Sequence, residues 1–156
     1  SIIFSLIIIG IIASIFFKRI LWGILAVVPL SSAVIINFGF MGYFGIELSH
    51  ITALLSSVII GVGVDFAIHY ISQYRRLSRT SDIKKLSRNV VDDVGYPIIL
   101  DAASNMGFGA LLFSAFVPIQ YIGGLMVFAM VSTSLGTLTV LAASTELMKN
   151  RLVNKG

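Results

Sequence analysis

The sequence predicts an all-α membrane protein, with five transmembrane helices and one amphipathic helix lying in the cytoplasmic interface. Three observations predict it. Of 156 residues, 57% are hydrophobic and only 12% are charged, and the mean hydropathy is +0.99, whereas soluble domains carry about 25% charged residues. So little polar surface cannot coat a water-soluble globule, which excludes a soluble single-domain enzyme. The apolar residues also gather in five runs, each near the ~20 residues that cross a ~30 Å hydrocarbon core. Finally, the basic residues cluster at alternate ends of those runs.

The first span covers residues 1–17 and opens inside an apolar run without an initiating Met, as expected of a piece cut from a longer protein. The second, 20–43, contains Pro29, which predicts a kink. The third covers 51–74, the fourth 97–116 and the fifth 119–147. Runs this rich in Ile and Val suggest buried strands in a soluble protein, but their length and continuity favour helices in lipid. Between the third and fourth spans, Ile83, Leu86, Val90 and Val94 recur at helical spacing, with Lys84, Lys85, Arg88 and Asp92 on other faces. Ser81 as cap and Gly95-Tyr96-Pro97 as stop delimit an interfacial helix over 82–94.

All eleven basic residues fall in three groups: Lys18 and Arg19; Arg75, Arg76, Arg79, Lys84, Lys85 and Arg88; Lys149, Arg151 and Lys155. The turns at 42–50 and 116–120 hold none. The positive-inside rule then puts all three groups and the C-terminus in the cytoplasm of a multi-pass cell (inner) membrane protein. Without cysteine, disulfides, thiol nucleophiles and Cys-type metal sites are excluded. A basic stripe with interleaved aromatics, which nucleic-acid binding wants, is missing. No Ser/His or metal pair at hydrolytic spacing is present, so no catalytic residue, metal ligand or cofactor is assigned.

Several polar residues lie where lipid should not tolerate them. Asp65 sits near the middle of the third span, where an ionised group costs at least about 2.5–3.5 kcal/mol. Low dielectric favours the neutral form of a carboxyl group, which suits such a residue to exchanging protons. His69 follows at i+4 on the same face. Asp101 lies one turn into the fourth span, at a depth that rise per residue makes similar to that of His69. These three form a candidate proton path, with Asp65 as carrier; hydrogen bonding of His69 and Asp101 to each other or to interfacial water is the plainer alternative. Asn105, one turn beyond Asp101, extends a polar track. Gly61 and Gly63 would let a neighbouring helix approach the carboxylate. Ser132, Thr133, Ser134, Thr137 and Thr139 suit interhelical hydrogen bonding in the fifth span.

The stretch Gly61-Val62-Gly63-Val64-Asp65-Phe66-Ala67-Ile68-His69, with Tyr74-Arg75-Arg76 behind it, resembles the Gly-x-Gly-x-Asp-Tyr-x-x-His signature of the resistance–nodulation–division (RND) superfamily. The MMPL-type exporters are the most similar branch, itself similar to sterol-sensing, Patched-like membrane domains. Gly95-Tyr96-Pro97, Gly107-Phe108-Gly109 and Phe116-Val117-Pro118-Ile119 continue the likeness over nearly the whole chain. The resemblance implies the last five helices of one six-helix repeat out of two, the C-terminal one being favoured. It implies an exporter of lipids or other hydrophobic substrates, driven by protons as coupling ion, with the proton-relay role falling on Asp65. Its implied partners are the missing N-terminal repeat, the extracytoplasmic porter domains and membrane lipids, with homo-oligomerisation left open and no nucleic acid. Phe66 replaces the usual Tyr and removes one hydroxyl from the expected relay. A non-transporting sterol-sensing-like regulatory or scaffold domain, or a SecD/SecF-like translocation subunit, is the alternative.

Overall fold

The computed structural model describes residues 2–47, 50–80 and 82–153, with the side chains of 51–54, 83 and 153 left aside. Ser1, the proposed cap Ser81 and the tail Asn154-Lys155-Gly156 lie outside the described residues. Among the described residues six α-helices follow one another: α1 (Ile2–Phe16), α2 (Ile20–Tyr43), α3 (His50–Leu77), α4 (Leu86–Asn105), α5 (Val117–Gly136) and α6 (Ala142–Val153). A 3₁₀ segment, Met106–Phe113, extends α4, and a π-helical turn, Thr137–Leu141, joins α5 to α6. Among the described residues, four stretches are long and apolar enough to cross a membrane: Ile20–Tyr43, Leu55–Leu77, Leu86–Phe113 and Val117–Leu152. The 15 residues of α1 are apolar but shorter, rising about 22 Å against a ~30 Å core. The chain is thus an all-α, multi-pass membrane protein.

At one point the structure departs from the expected layout. The sequence predicts a break at Gly95–Pro97 between an interfacial helix and the fourth span, yet α4 runs unbroken through Pro97. The reason is packing. Leu86, Val90, Val94, Ile98 and Ala102, each four residues from the next, are all buried, so one face stays in register across the proline. A proline inside a helix removes one backbone hydrogen bond, and continuous burial of that face outweighs the loss.

α3 lies at the centre, packed by α2 and α5 on its inner side and by α4 beside it. Phe66, Ala67, Tyr70, Ile71 and Tyr74 of α3 are buried against Trp22, Leu25 and Leu30 of α2 and Leu125 and Met130 of α5. Small residues set the close approaches. A Cβ on Gly23 would collide with the Ser14 hydroxyl and the Gly10 carbonyl oxygen, where α1 crosses α2. One on Gly123 would meet the Leu112 backbone nitrogen at 2.8 Å, locking α5 onto the 3₁₀ segment. Lys18 takes a left-handed conformation (φ 55°) in the turn that folds α2 back along α1.

Contacts bring the three basic groups to one end of the bundle. Arg19 donates to the Leu152 carbonyl oxygen at 3.4 Å, and the Arg75 guanidinium lies 5.4 Å from the centre of the Phe17 ring. At the same end, the hydroxyls of buried Tyr70 and Thr145 share a hydrogen bond of 3.1 Å between α3 and α6, while Ser87 donates to Glu146 at 2.8 Å. The serines and threonines of the fifth span behave differently. Ser132, Thr133, Ser134 and Thr139 donate to carbonyl oxygens of their own helix, so intrahelical bonds take the place of the expected interhelical ones.

Two stability predictions follow from this packing. Gly23→Ala should cost about 1–3 kcal/mol by overpacking, whereas Gly39→Ala, with nothing within 4 Å of the added atom, should leave thermal unfolding in detergent unchanged. Tyr70→Phe should cost about 1 kcal/mol, whereas Thr137→Val, which removes a buried hydroxyl lacking a hydrogen-bond partner, should be neutral or stabilising. Equal losses within either pair would contradict these contacts.

Candidate functional site

The polar residues of α3 and α4 meet in a cleft of about 500 Å³. Asp65, His69, Ser72 and Gln73 form one wall; Asp93, Pro97 and Asp101 form the other. Helical spacing explains the first wall: residues four apart turn by 400°, so Asp65, His69 and Gln73 lie along one face. The second wall repeats the pattern at Asp93, Pro97 and Asp101. The two helices run antiparallel, and the Gln73 side-chain amide donates to an Asp93 carboxylate oxygen at 2.6 Å. That bond sets the register. Eight residues back along α3 and eight forward along α4, Asp65 comes level with Asp101. His69 is level with Pro97, one turn from the depth that counting from the helix ends predicts for it.

Asp65 and His69 form an i,i+4 pair with 3.6 Å between Oδ1 and Nε2. Asn105 holds the opposite carboxylate, its amide donating to the Asp101 side chain at 3.3 Å and to the Asp101 carbonyl oxygen at 3.0 Å. The cleft therefore contains an acid beside a potential base, a second acid across from it, and amides that fix both ends of α4's polar face. These groups can accept and pass protons. Among the described residues, no three His, Asp or Glu side chains gather to hold a metal ion.

The two glycines of the motif part company. Gly63 is buried, and a Cβ there would meet Thr133 Cγ2 at 3.0 Å and Leu30 Cγ at 3.3 Å. It brings α2 and α5 to the back of α3, not toward the carboxylate. Gly61 is exposed with nothing within 4 Å of an added Cβ, and it lies one turn from Asp65 on the same face. Phe66, in the Tyr position of the motif, is buried and borders the cleft. Gln73, Asp93 and Ser72 belong to the site although their residue types drew no notice in the sequence. Spacing could have found them, since Gln73 is i+8 from Asp65 and Asp93 is i−8 from Asp101.

A second concavity of about 950 Å³ runs between α1 and α2, walled by isoleucines such as Ile7, Ile11 and Ile24, with Lys18 and Arg19 at one end. Its serines, Ser14, Ser31 and Ser32, donate to carbonyl oxygens of their own helices. The groove is thus apolar along its length and charged at its end.

A helical membrane bundle with a polar cleft between two of its spans is the class that this geometry defines. The family description "Sterol-sensing domain of SREBP cleavage-activation" matches residues 15–144. The chain belongs to the sterol-sensing domain family. It is also 34% identical over 104 residues to a membrane protein of Methanocaldococcus jannaschii, in a match covering 65% of this chain and 27% of that protein. The chain therefore spans about a quarter of that relative's length. No solved structure matches it.

The Gln73–Asp93 bond should persist in the membrane protein. A double-mutant cycle with Gln73→Ala and Asp93→Ala should return a coupling of about 0.5–1 kcal/mol in thermal unfolding. Strict additivity would mean that α3 and α4 are not tied at this point.

Proposed function

We propose that this chain is part of the membrane domain of a proton-driven exporter of lipids or other hydrophobic molecules, of the RND type, in which Asp65 carries the proton. The observation that supports this most is the cleft itself: Asp65 faces it midway along a membrane helix, with His69 at 3.6 Å. An ionisable residue held at that depth is costly, which favours a role in ion traffic. His69 and Asp101 serve as exchange partners on either side of the carboxylate, and Asn105 holds Asp101 in place. The basic ends face the cytoplasm by the positive-inside rule, so the cleft loads from or discharges to that side. Substrate passage belongs to the complete protein, through extracytoplasmic domains and a second membrane half. No enzymatic step and no cofactor beyond protons is assigned.

A second reading has its own support. Family membership and the apolar groove of about 950 Å³ between α1 and α2 both fit a domain that binds a sterol or lipid and regulates a partner without transport. In that reading the Asp65–His69 pair is structural.

Proteoliposomes of the full-length protein separate the two. With a pH-sensitive dye inside, Asp65→Asn should abolish substrate-dependent proton flux, His69→Ala and Asp101→Asn should reduce it about tenfold, the low end for one proton-transfer group, and all three should remain folded. Undiminished flux in Asp65→Asn would overturn the transport reading; absence of flux in the unmodified protein, with retained sterol binding, would favour the regulatory one.

A further inference from the structure

The groove between α1 and α2 takes no part in the proton path. Ile3, Ile7, Ile11 and Ile15, each four residues from the next, stand along one side, and Ile24 and Ile35 along the other, all exposed. The floor between them is low because small residues make it. A Cβ on Gly10 would meet Val27 Cγ2 at 3.2 Å, and one on Gly23 would collide with the Ser14 hydroxyl, so the two backbones pass close beneath the isoleucine rims. The 15 residues of α1 give this trough a length of about 22 Å. Its volume of about 950 Å³ stands at the upper end of the roughly 300–1,000 Å³ range of ligand sites.

We propose that the groove holds one anionic phospholipid of the cytoplasmic leaflet, its acyl chains between the isoleucines and its phosphate against Lys18 and Arg19. Polarity is confined to that end. Ser14, Ser31 and Ser32 spend their hydroxyls on carbonyl oxygens of their own helices, so the trough offers little to read the hydroxyl of a neutral sterol. Lys18 and Arg19 both line the groove, and among the described residues neither has a carboxylate partner. Arg19 is anchored through one nitrogen to the Leu152 carbonyl oxygen, which leaves its other N–H donors for a ligand. The backbone of Lys18 points the same way. Among the described residues it is the one non-glycine residue with positive φ, at 55°. Glycine would make that turn without strain, yet a cation stands there. The positive-inside rule puts this end at the cytoplasmic face, where anionic headgroups gather and basic pockets between helices capture them. The proposal goes beyond both readings of the function: it needs neither proton carriage by Asp65 nor a sterol ligand.

Native mass spectrometry of the full-length protein in detergent, with phosphatidylglycerol or phosphatidylcholine added, tests it. Phosphatidylglycerol should bind about 25-fold more tightly, about fivefold for each cation. Lys18→Gly should cut that preference about fivefold while leaving thermal unfolding in lipid-free detergent unchanged or raised, because the left-handed turn no longer carries a Cβ. Combining it with Arg19→Gln should abolish the preference. In bilayers, phosphatidylglycerol with a photoreactive acyl chain should label α1 and α2 more strongly than the exposed Ile99 and Leu100 of α4. Equal affinity for the two phospholipids, or a preference that survives loss of both cations, would overturn the proposal. So would even labelling of α1, α2 and α4, the mark of annular lipid only, or no labelling of α1 and α2, the mark of a covering helix. A sterol bound as tightly as phosphatidylglycerol would also overturn it. Asp65→Asn should bind phosphatidylglycerol as the unmodified protein does, so failure of this site and failure of proton carriage are read apart.

Discussion

Hydrocarbon supplies no hydrogen-bond partners, and a carboxylate on a membrane helix dictates what must stand around it. Asp65 is the point at which this constraint acts most strongly on the present chain. Its own helix provides His69, the neighbouring helix provides Asp101 at the same level, and the remaining side stays open. The apolar faces of α1 and α2 meet lipid at no cost, while the inner face of α3 is buried under Trp22, Leu30, Leu125 and Met130. The outward face of α3 and its partner α4 carry the polar row of the cleft.

The geometry of that row comes from packing and from one bond between polar side chains. α4 is aligned by its buried stripe from Leu86 to Ala102, which carries it straight through Pro97. That alignment puts Asp93, Pro97 and Asp101 on the cleft side, and the Gln73–Asp93 bond sets them against α3. Gly63 draws α2 and α5 tightly onto the back of α3, so that the helix bearing Asp65 is supported from behind and free in front.

Much of this was legible in the sequence because membrane helices announce themselves by length and hydropathy. The helical spans, the placement of Asp65 in the third and the gathering of basic residues at one end all follow from runs and spacing. The continuity of α4 was not legible: local rules read Gly95 and Pro97 as a stop, and only the tertiary burial of a five-residue stripe overrides them. The separate fates of Gly61 and Gly63 were hidden for a similar reason. Two residues apart on a helix means opposite faces, but which face is covered depends on neighbours far along the chain. Gln73 and Asp93 escaped notice because neither is unusual by itself near a charged helix end; their importance comes from one bond between helices.

Whether lipid or water meets the face bearing Asp65 decides the reading of the cleft. Nitroxide labels at Ser72→Cys on α3 and Ile12→Cys on α1, in the full-length protein reconstituted in bilayers, test it through their collision rates with oxygen, which concentrates in lipid. The account predicts a low oxygen collision rate at the Ser72 position and a high one at the Ile12 position. Equally high rates at both would show that lipid bathes the cleft, and would contradict the account.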